Sequence, residues 1–181
     1  MGTREQDFAD SMLRRLGSHS ITALIVSVVL GFAELGPAHA ATVRQGVAAL
    51  QRHDYNTAAA IFNAIAQRGD PNAQAYLGLL YSKGFGVPQN YTAAAFWYRR
   101  AAEQGHSGAQ YMLGLLYDRG FGVPQDVVEA EKWLILSTAG ANGRGAEDRA
   151  RIRDAVRTKM TRGEIAKARL RAVEWGPRRE R

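Results

Sequence analysis

Cysteine is absent from this chain of 181 residues, which excludes disulfide staples, thiolate nucleophiles and cysteine-built zinc sites together. Histidine is scarce: of four, only His53 and His106 lie beyond residue 40, far apart and each near an expected turn. No His-x-x-x-His pair or carboxylate cluster makes up for the missing thiolates, so a metal site lacks ligands. Serine is sparse, and none stands in the Gly-x-Ser-x-Gly setting of a hydrolase nucleophile. Lysine is outnumbered by arginine four to twenty, the usage of a GC-rich bacterial gene. These shortages leave few ways to build a catalytic centre. No catalytic residue, no cofactor and no nucleic-acid partner is expected.

The first 40 residues differ in kind from the rest. Arg14 and Arg15 precede an uncharged run at residues 21–32, and Pro37-Ala38-His39-Ala40 follows with small residues where a signal peptidase reads. This is a secretory layout, with cleavage expected after Ala40. A retained inner-membrane anchor facing the periplasm is the alternative, but twelve residues fall well short of the roughly 20 a spanning helix needs. The expected location is periplasmic or secreted.

What the remainder has is repetition. Lys83 to Asn90 reads KGFGVPQN, and 36 positions later Arg119 to Asp126 reads RGFGVPQD. Gly-x-Gly occurs in phosphate-binding loops, yet neither copy has the preceding strand, the later acidic residue or the Gly-Lys-Ser/Thr ending that such loops need. The phrase reads better as a helix-turn-helix joint. Gly84 and Gly86 can take positive φ, Pro88 cannot continue a helix, and Asn90 and Asp126 stand where N-caps belong, Asp126 with Glu129 at capping-box spacing. Glu129 and Glu131 then fall in a helix's first turn, a favourable place for acidic residues.

Aligning residues 69–104 with 105–140 extends the echo: Ala73/Ala109, Gln74/Gln110, Leu77/Leu113, Gly78/Gly114, Leu80/Leu116, Tyr81/Tyr117, Ala94/Ala130 and Trp97/Trp133 all pair. A period of this size marks units that cannot bury their own apolar faces and must stack. Asp54-Tyr55 with Ala58, Phe62 and Gly69 matches Asn90-Tyr91 with Ala94, Tyr98 and Gly105 at the same offset of 36, so a third unit precedes the two. Its first helix falls around residues 43–52, joined to the second by a connection lacking the Gly-Phe-Gly-Val-Pro insert. The units are placed at about 42–68, 69–104 and 105–140. Gly78 and Gly114 sit mid-helix, where glycine costs roughly 1 kcal/mol against alanine; a close approach by a neighbour is expected there. Trp97 and Trp133 are expected to fill the space between paired helices.

Charge is uneven. Residues 41–140 hold eight Lys/Arg against seven Asp/Glu, whereas 141–181 hold thirteen against six. In this basic segment Ile152, Val156 and Met160 form an apolar stripe, with Arg149, Arg153 and Arg157 read as an opposite, basic one. Thr161 and Glu164 have capping-box spacing and open a further helix expected to run through Ile165, Leu170, Val173 and Trp175. The segment is expected to cap the last unit, or to offer a basic face to an acidic partner or an anionic membrane surface. Residues 178–181 read as a frayed tail.

Ala-Gln-x-x-Leu-Gly-x-x-Tyr-x-x-Gly-x-Gly-Val-Pro-Gln-Asp/Asn, followed by Ala, Trp and Gln-Gly, resembles the SEL-1-like repeat (SLR), a relative of the tetratricopeptide repeat. The earlier unit resembles a plain tetratricopeptide repeat. The resemblance implies an all-α solenoid of tandem helix pairs with C-terminal capping helices, serving as an adaptor or regulator that binds another protein or peptide, here a periplasmic one. A cell-wall ligand-binding protein or hydrolase acting on peptidoglycan or β-lactam-like substrates is the alternative, as proposed for cysteine-rich relatives. By the same resemblance the first helix of each pair lines the concave side and Leu77, Gly78 and Tyr81 are its packing positions. The exposed concave positions are then Asn72, Ala75, Leu79, Ser82 and Lys83 in one unit and Gly108, Tyr111, Leu115, Asp118 and Arg119 in the next.

Overall fold

A computed structural model describes residues 42–140, 144–178 and 180. The expected signal sequence and its cleavage site lie outside the described residues. Among those described, every element is an α-helix: α1 (Val43–Gln51), α2 (Tyr55–Ala66), α3 (Pro71–Lys83), α4 (Tyr91–Glu103), α5 (Ser107–Arg119), α6 (Val127–Ala139), α7 (Arg144–Arg157) and α8 (Arg162–Val173). None is long and apolar enough to cross a membrane.

The helix starts follow from short polar side chains. Thr42 and Thr161 each form a capping box, with Gln45 and Glu164. Asp54, Asp70 and Asn90 cap α2, α3 and α4, and Pro71 occupies the first turn of α3, where its missing N–H costs nothing. Asp126 caps α6 by accepting from the Val128 and Glu129 amides, but the expected return bond from Glu129 is replaced. The Glu129 carboxylate instead accepts from Lys132 and Arg171. Two cations within reach draw it away from a single amide.

From α1 to α6 each helix packs on the next, so the three pairs stack in order. Small residues allow the close contacts. A Cβ on Gly78 would lie 2.8 Å from the Tyr98 ring, and one on Gly114 would lie 2.9 Å from Leu134 and 3.1 Å from the Ala130 carbonyl oxygen. Both mid-helix glycines therefore sit where the partner helix arrives.

The repeated phrase closes each first helix and then reaches back to the previous unit. Gly84 and Gly120 end α3 and α5 in the left-handed conformation, and Phe85 and Phe121 pack on Tyr55 and Tyr91, with ring centroids 4.5 and 5.0 Å apart. Gly86, at φ 68°, comes so close to the start of α2 that a Cβ would fall 2.1 Å from the Tyr55 carbonyl oxygen. Gly122 does the same to Tyr91. The phrase recurs because it is the bracket between consecutive units.

Trp133 is buried as expected, 3% exposed. Trp97 is only partly buried, one side against the α2–α3 core and the other under the Arg100 guanidinium, 5.0 Å from its centroid.

The C-terminal segment caps the stack, with three departures from the sequence reading. α7 and α8 both pack on α6, and Val156, with Ile152 and Met160, covers Ala130 and Leu134 as the apolar stripe requires. Arg149, Arg153 and Arg157 are not opposite that stripe but beside it: residues one and three apart on a helix are separated by roughly 100° and 60°. In α8 the buried residues are Ala168 and Ala172, whereas Leu170 and Val173 are 58% and 84% exposed. Small residues let α8 lie close to α6, which turns the larger ones outward. Trp175, past the helix end, reaches Trp133 edge-on at 6.3 Å. Nor is the tail frayed as far as Glu180, whose carboxylate is gripped by Arg100 and Gln74.

Candidate functional site: the cleft between α3 and α5

The first helices of the two similar units flank a cleft of about 270 Å³. Ala75, Tyr76 and Leu79 of α3 face Gly108 and Met112 of α5 across it, Asn72 and His106 stand at one end, and Tyr98 of α4 forms part of the lining. Glycine at position 108 keeps the α5 wall low.

His106 caps α5 by accepting the Ala109 amide proton on Nδ1 at 3.0 Å, which leaves the neutral ring's proton on Nε2. Burial, aided by the positive charge of Arg149, pushes its pKa down and keeps that neutral form. Tyr98 is 2% exposed, its hydroxyl has no hydrogen bond of good geometry, and burial pushes its pKa up to about 12. Apolar walls with a few polar groups at the end are the usual make-up of a peptide or small-ligand cleft.

Of the ten residues assigned to the concave face, Asn72, Ala75, Leu79 and Gly108 line this cleft. Lys83 and Arg119 are exposed at the C-terminal ends of α3 and α5, and Leu115 is half-buried. Ser82 is not exposed: it is 7% accessible, and its hydroxyl donates to the Leu79 carbonyl within its own helix. Tyr111 is taken up by α7 and Asp118 by the turn that follows it. The Tyr111 ring packs against the cluster of Ala130, Leu134 and Val156, with the Arg149 guanidinium 5.7 Å from its centroid, and Asp118, its side chain 12% exposed, pairs with Lys159 at 2.8 Å. α7 thus covers the part of the second unit that remains open in the first. Tyr76, Tyr98, His106 and Met112 were missed. Tyr76 and Met112 could have been found by stepping three or four residues from Asn72 and Gly108 along one helix face.

The three arginines of the supposed basic face turn inward. Arg149 donates to the Ser137 carbonyl at 2.8 Å, Arg157 reaches Glu131 at 3.4 Å, and the Arg153 Nε is buried. Glu131 is 1% exposed, and one of its oxygens has no hydrogen-bond partner. Burial raises its pKa to about 7 against the pull of Arg157, Arg153 and Arg169, with Asp154 adding to the rise.

Between the ordinary carboxyl pKa and about 7 the folded protein therefore holds a proton that the unfolded chain has released, so stability falls as pH rises through that window. The expected loss from pH 5 to pH 8 is about 2–3 kcal/mol from this group. Glu131→Gln should flatten that slope in urea melts taken across the range. An unchanged slope would mean that Glu131 titrates as in the unfolded chain.

Comparison with known proteins decides what these pairs are. The Sel1 repeat family model matches residues 71–106 and again 107–142. The chain carries two Sel1 repeats. Among solved structures it is similar to c5321, a protective antigen present in uropathogenic Escherichia coli strains that displays an SLR fold. The TM-score is 0.68 at 29% identity, over 74% of this chain and 28% of that one. This chain thus spans little more than a quarter of that antigen's length. A Sel1 repeat protein from Oxalobacter formigenes is 37% identical over 48% of this chain and 66% of its own, with a TM-score of 0.46. No curated protein matches in sequence. Each Sel1 match begins with a first helix, α3 or α5, so the cleft lies between the two matched repeats. The fold is an SLR solenoid.

Proposed function

We propose that this protein is an exported, periplasmic interaction module that binds a peptide or loop of another protein in the cleft between its two Sel1 repeats. The cleft carries the reading: Ala75, Leu79, Tyr76 and Met112 give apolar walls and Asn72 and His106 polar groups at one end. An extended segment could place side chains on the first and a main-chain carbonyl on the second. The similarity to other SLR structures supports an interaction role, and the residue pattern of positions 1–40 supports export. The hydrolase alternative gains nothing from these similarities.

A photo-crosslinking amino acid in place of Asn72, at the cleft's exposed end, should give one dominant adduct in periplasmic extract. Leu79→Arg, which fills the cleft with a charge, should remove the adduct without moving the thermal midpoint by more than a degree or two. An adduct indifferent to Leu79→Arg would place binding elsewhere. N-terminal sequencing of the exported protein should begin at Ala41; a start at Met1 in the membrane fraction would replace the cleaved signal with an anchor.

A further inference from the structure

The tail after α8 does not drift into solvent but runs back along the edge made by the α2–α3 and α4–α5 turns. The Arg178 amide donates to the Glu103 carbonyl at 2.7 Å, one of the carbonyls left open at the end of α4. Beyond it, Glu180 enters a prepared polar site. Arg100 grips both carboxylate oxygens through Nε and a terminal nitrogen, and Gln74, itself 0% exposed, donates to one of them at 2.9 Å. Gln104 donates to the Gln74 side-chain oxygen and to the Gly69 carbonyl, each at 2.9 Å, which fixes the Gln74 amide with its nitrogen outward.

Among the described residues this site belongs to one joint only. Gln110 repeats the inner half of the arrangement, donating to the Ala102 carbonyl as Gln74 does to Ala66. The counterparts of Arg100 and Gln104, however, are Leu136 and Gly140. Stacking of the units needs the glutamine; it does not need the arginine fork.

We propose that Arg100, Gln74 and Gln104 form a recognition site for an acidic peptide segment of a partner protein, occupied in the unbound state by Glu180 of the chain's own tail. The tail is a poor occupant. Gly176, Pro177 and Arg178 are exposed, so little of the described tail between Trp175 and Glu180 is held by burial. In the sequence Glu180 has the basic neighbours Arg178, Arg179 and Arg181, so the segment that carries the carboxylate has the same sign of charge as Arg100. Beside the site, Phe96 is 53% exposed and the Arg100 guanidinium lies 5.8 Å from its centroid. Phenylalanine, tryptophan and arginine together, with one ring uncovered, make a surface on which an acidic segment with an apolar neighbour gains contacts the tail does not make. Tethering compensates the tail: attachment gives it an effective concentration in the millimolar range, so it holds the site until a better ligand arrives. The site shares no residue with the cleft, and its test is independent of the cleft's.

The probes are two labelled peptides, one copying residues 173–181 and one with its three arginines replaced by serine, read by fluorescence anisotropy against the full chain. Glu180→Ala, which empties the site, should bind the serine peptide at least tenfold tighter than the wild-type chain does, and tighter than the arginine peptide. Adding Arg100→Ala should reverse that gain, and Leu79→Arg should leave it intact. Replacing by glutamine the peptide glutamate that copies Glu180, and not the one that copies Glu174, should abolish binding to Glu180→Ala, which reads the same contact should Arg100→Ala fail to fold. If Glu180→Ala lowers the thermal midpoint but binds neither peptide better than wild type, the tail is a structural strap and the proposal fails.

Discussion

Gly86→Ala and Gly122→Ala are expected to destabilise the fold by about 3 kcal/mol or more each, while Gly84→Ala costs about 1–2 kcal/mol. All three glycines lie at positive φ, between 68° and 74°, so all three share the penalty of a left-handed alanine. Space separates them. A Cβ at position 84 would meet the Gln89 Cβ at 3.3 Å, a contact that a small shift relieves. At 86 it would stand 2.1 Å from the Tyr55 carbonyl oxygen, and at 122 it would stand 2.2 Å from that of Tyr91. Those are backbone atoms at the start of a packed helix, and they cannot turn aside. Relief requires the loop to swing off the previous unit, which also breaks the Phe85–Tyr55 or Phe121–Tyr91 ring contact. Urea melts give the ranking, and a reduced m-value would show that the units have uncoupled. Equal losses at 84 and 86 would refute the bracket.

Trp133→Ala is expected to cost about 3–5 kcal/mol, and Trp97→Ala roughly half of that. The two tryptophans are repeat equivalents, so sequence treats them alike. Trp133 is enclosed by the α4–α5 core, has Lys132 Nζ 4.3 Å from its ring centroid and takes the edge of Trp175. Removing it leaves a cavity and detaches the base of the tail. Trp97 keeps a face under Arg100, where solvent can refill the space. The same melts test this, and comparable losses for the two would mean that Trp97 is as enclosed as its counterpart.

The parts legible in sequence were those fixed within a few residues. Caps at Asn90, Asp126 and Thr161, left-handed closures at Gly84 and Gly120, and the pairing of units at an offset of 36 all depend on local chemistry or on comparing the chain with itself. The concave face was half legible. Asn72, Ala75, Leu79 and Gly108 follow from helical period, but Tyr111 and Asp118 do not, because only the position of α7 reveals that they are covered. The arginine stripe failed for a geometric reason: apolar and basic residues three positions apart along a helix share a side, and an arginine can lie on a buried face when a carboxylate such as Glu131 or a carbonyl such as that of Ser137 awaits it. Glu180 was beyond reach. Its partners are 80 and 106 residues away, and no local pattern announces such a contact.

The bracket also gives the stack a direction in time. Gly86 leans on Tyr55 and Gly122 on Tyr91, so each joint needs the helix made before it. Every such contact spans a short stretch of chain, which keeps the entropy of closing it small and the folding rate high. A chain leaving the ribosome can therefore add units one after another, each new joint finding its support in place. Only the tail must wait, since its carboxylate reaches back to helices completed long before. Residues made after the stack are thus the ones that test whether the earlier units have come together.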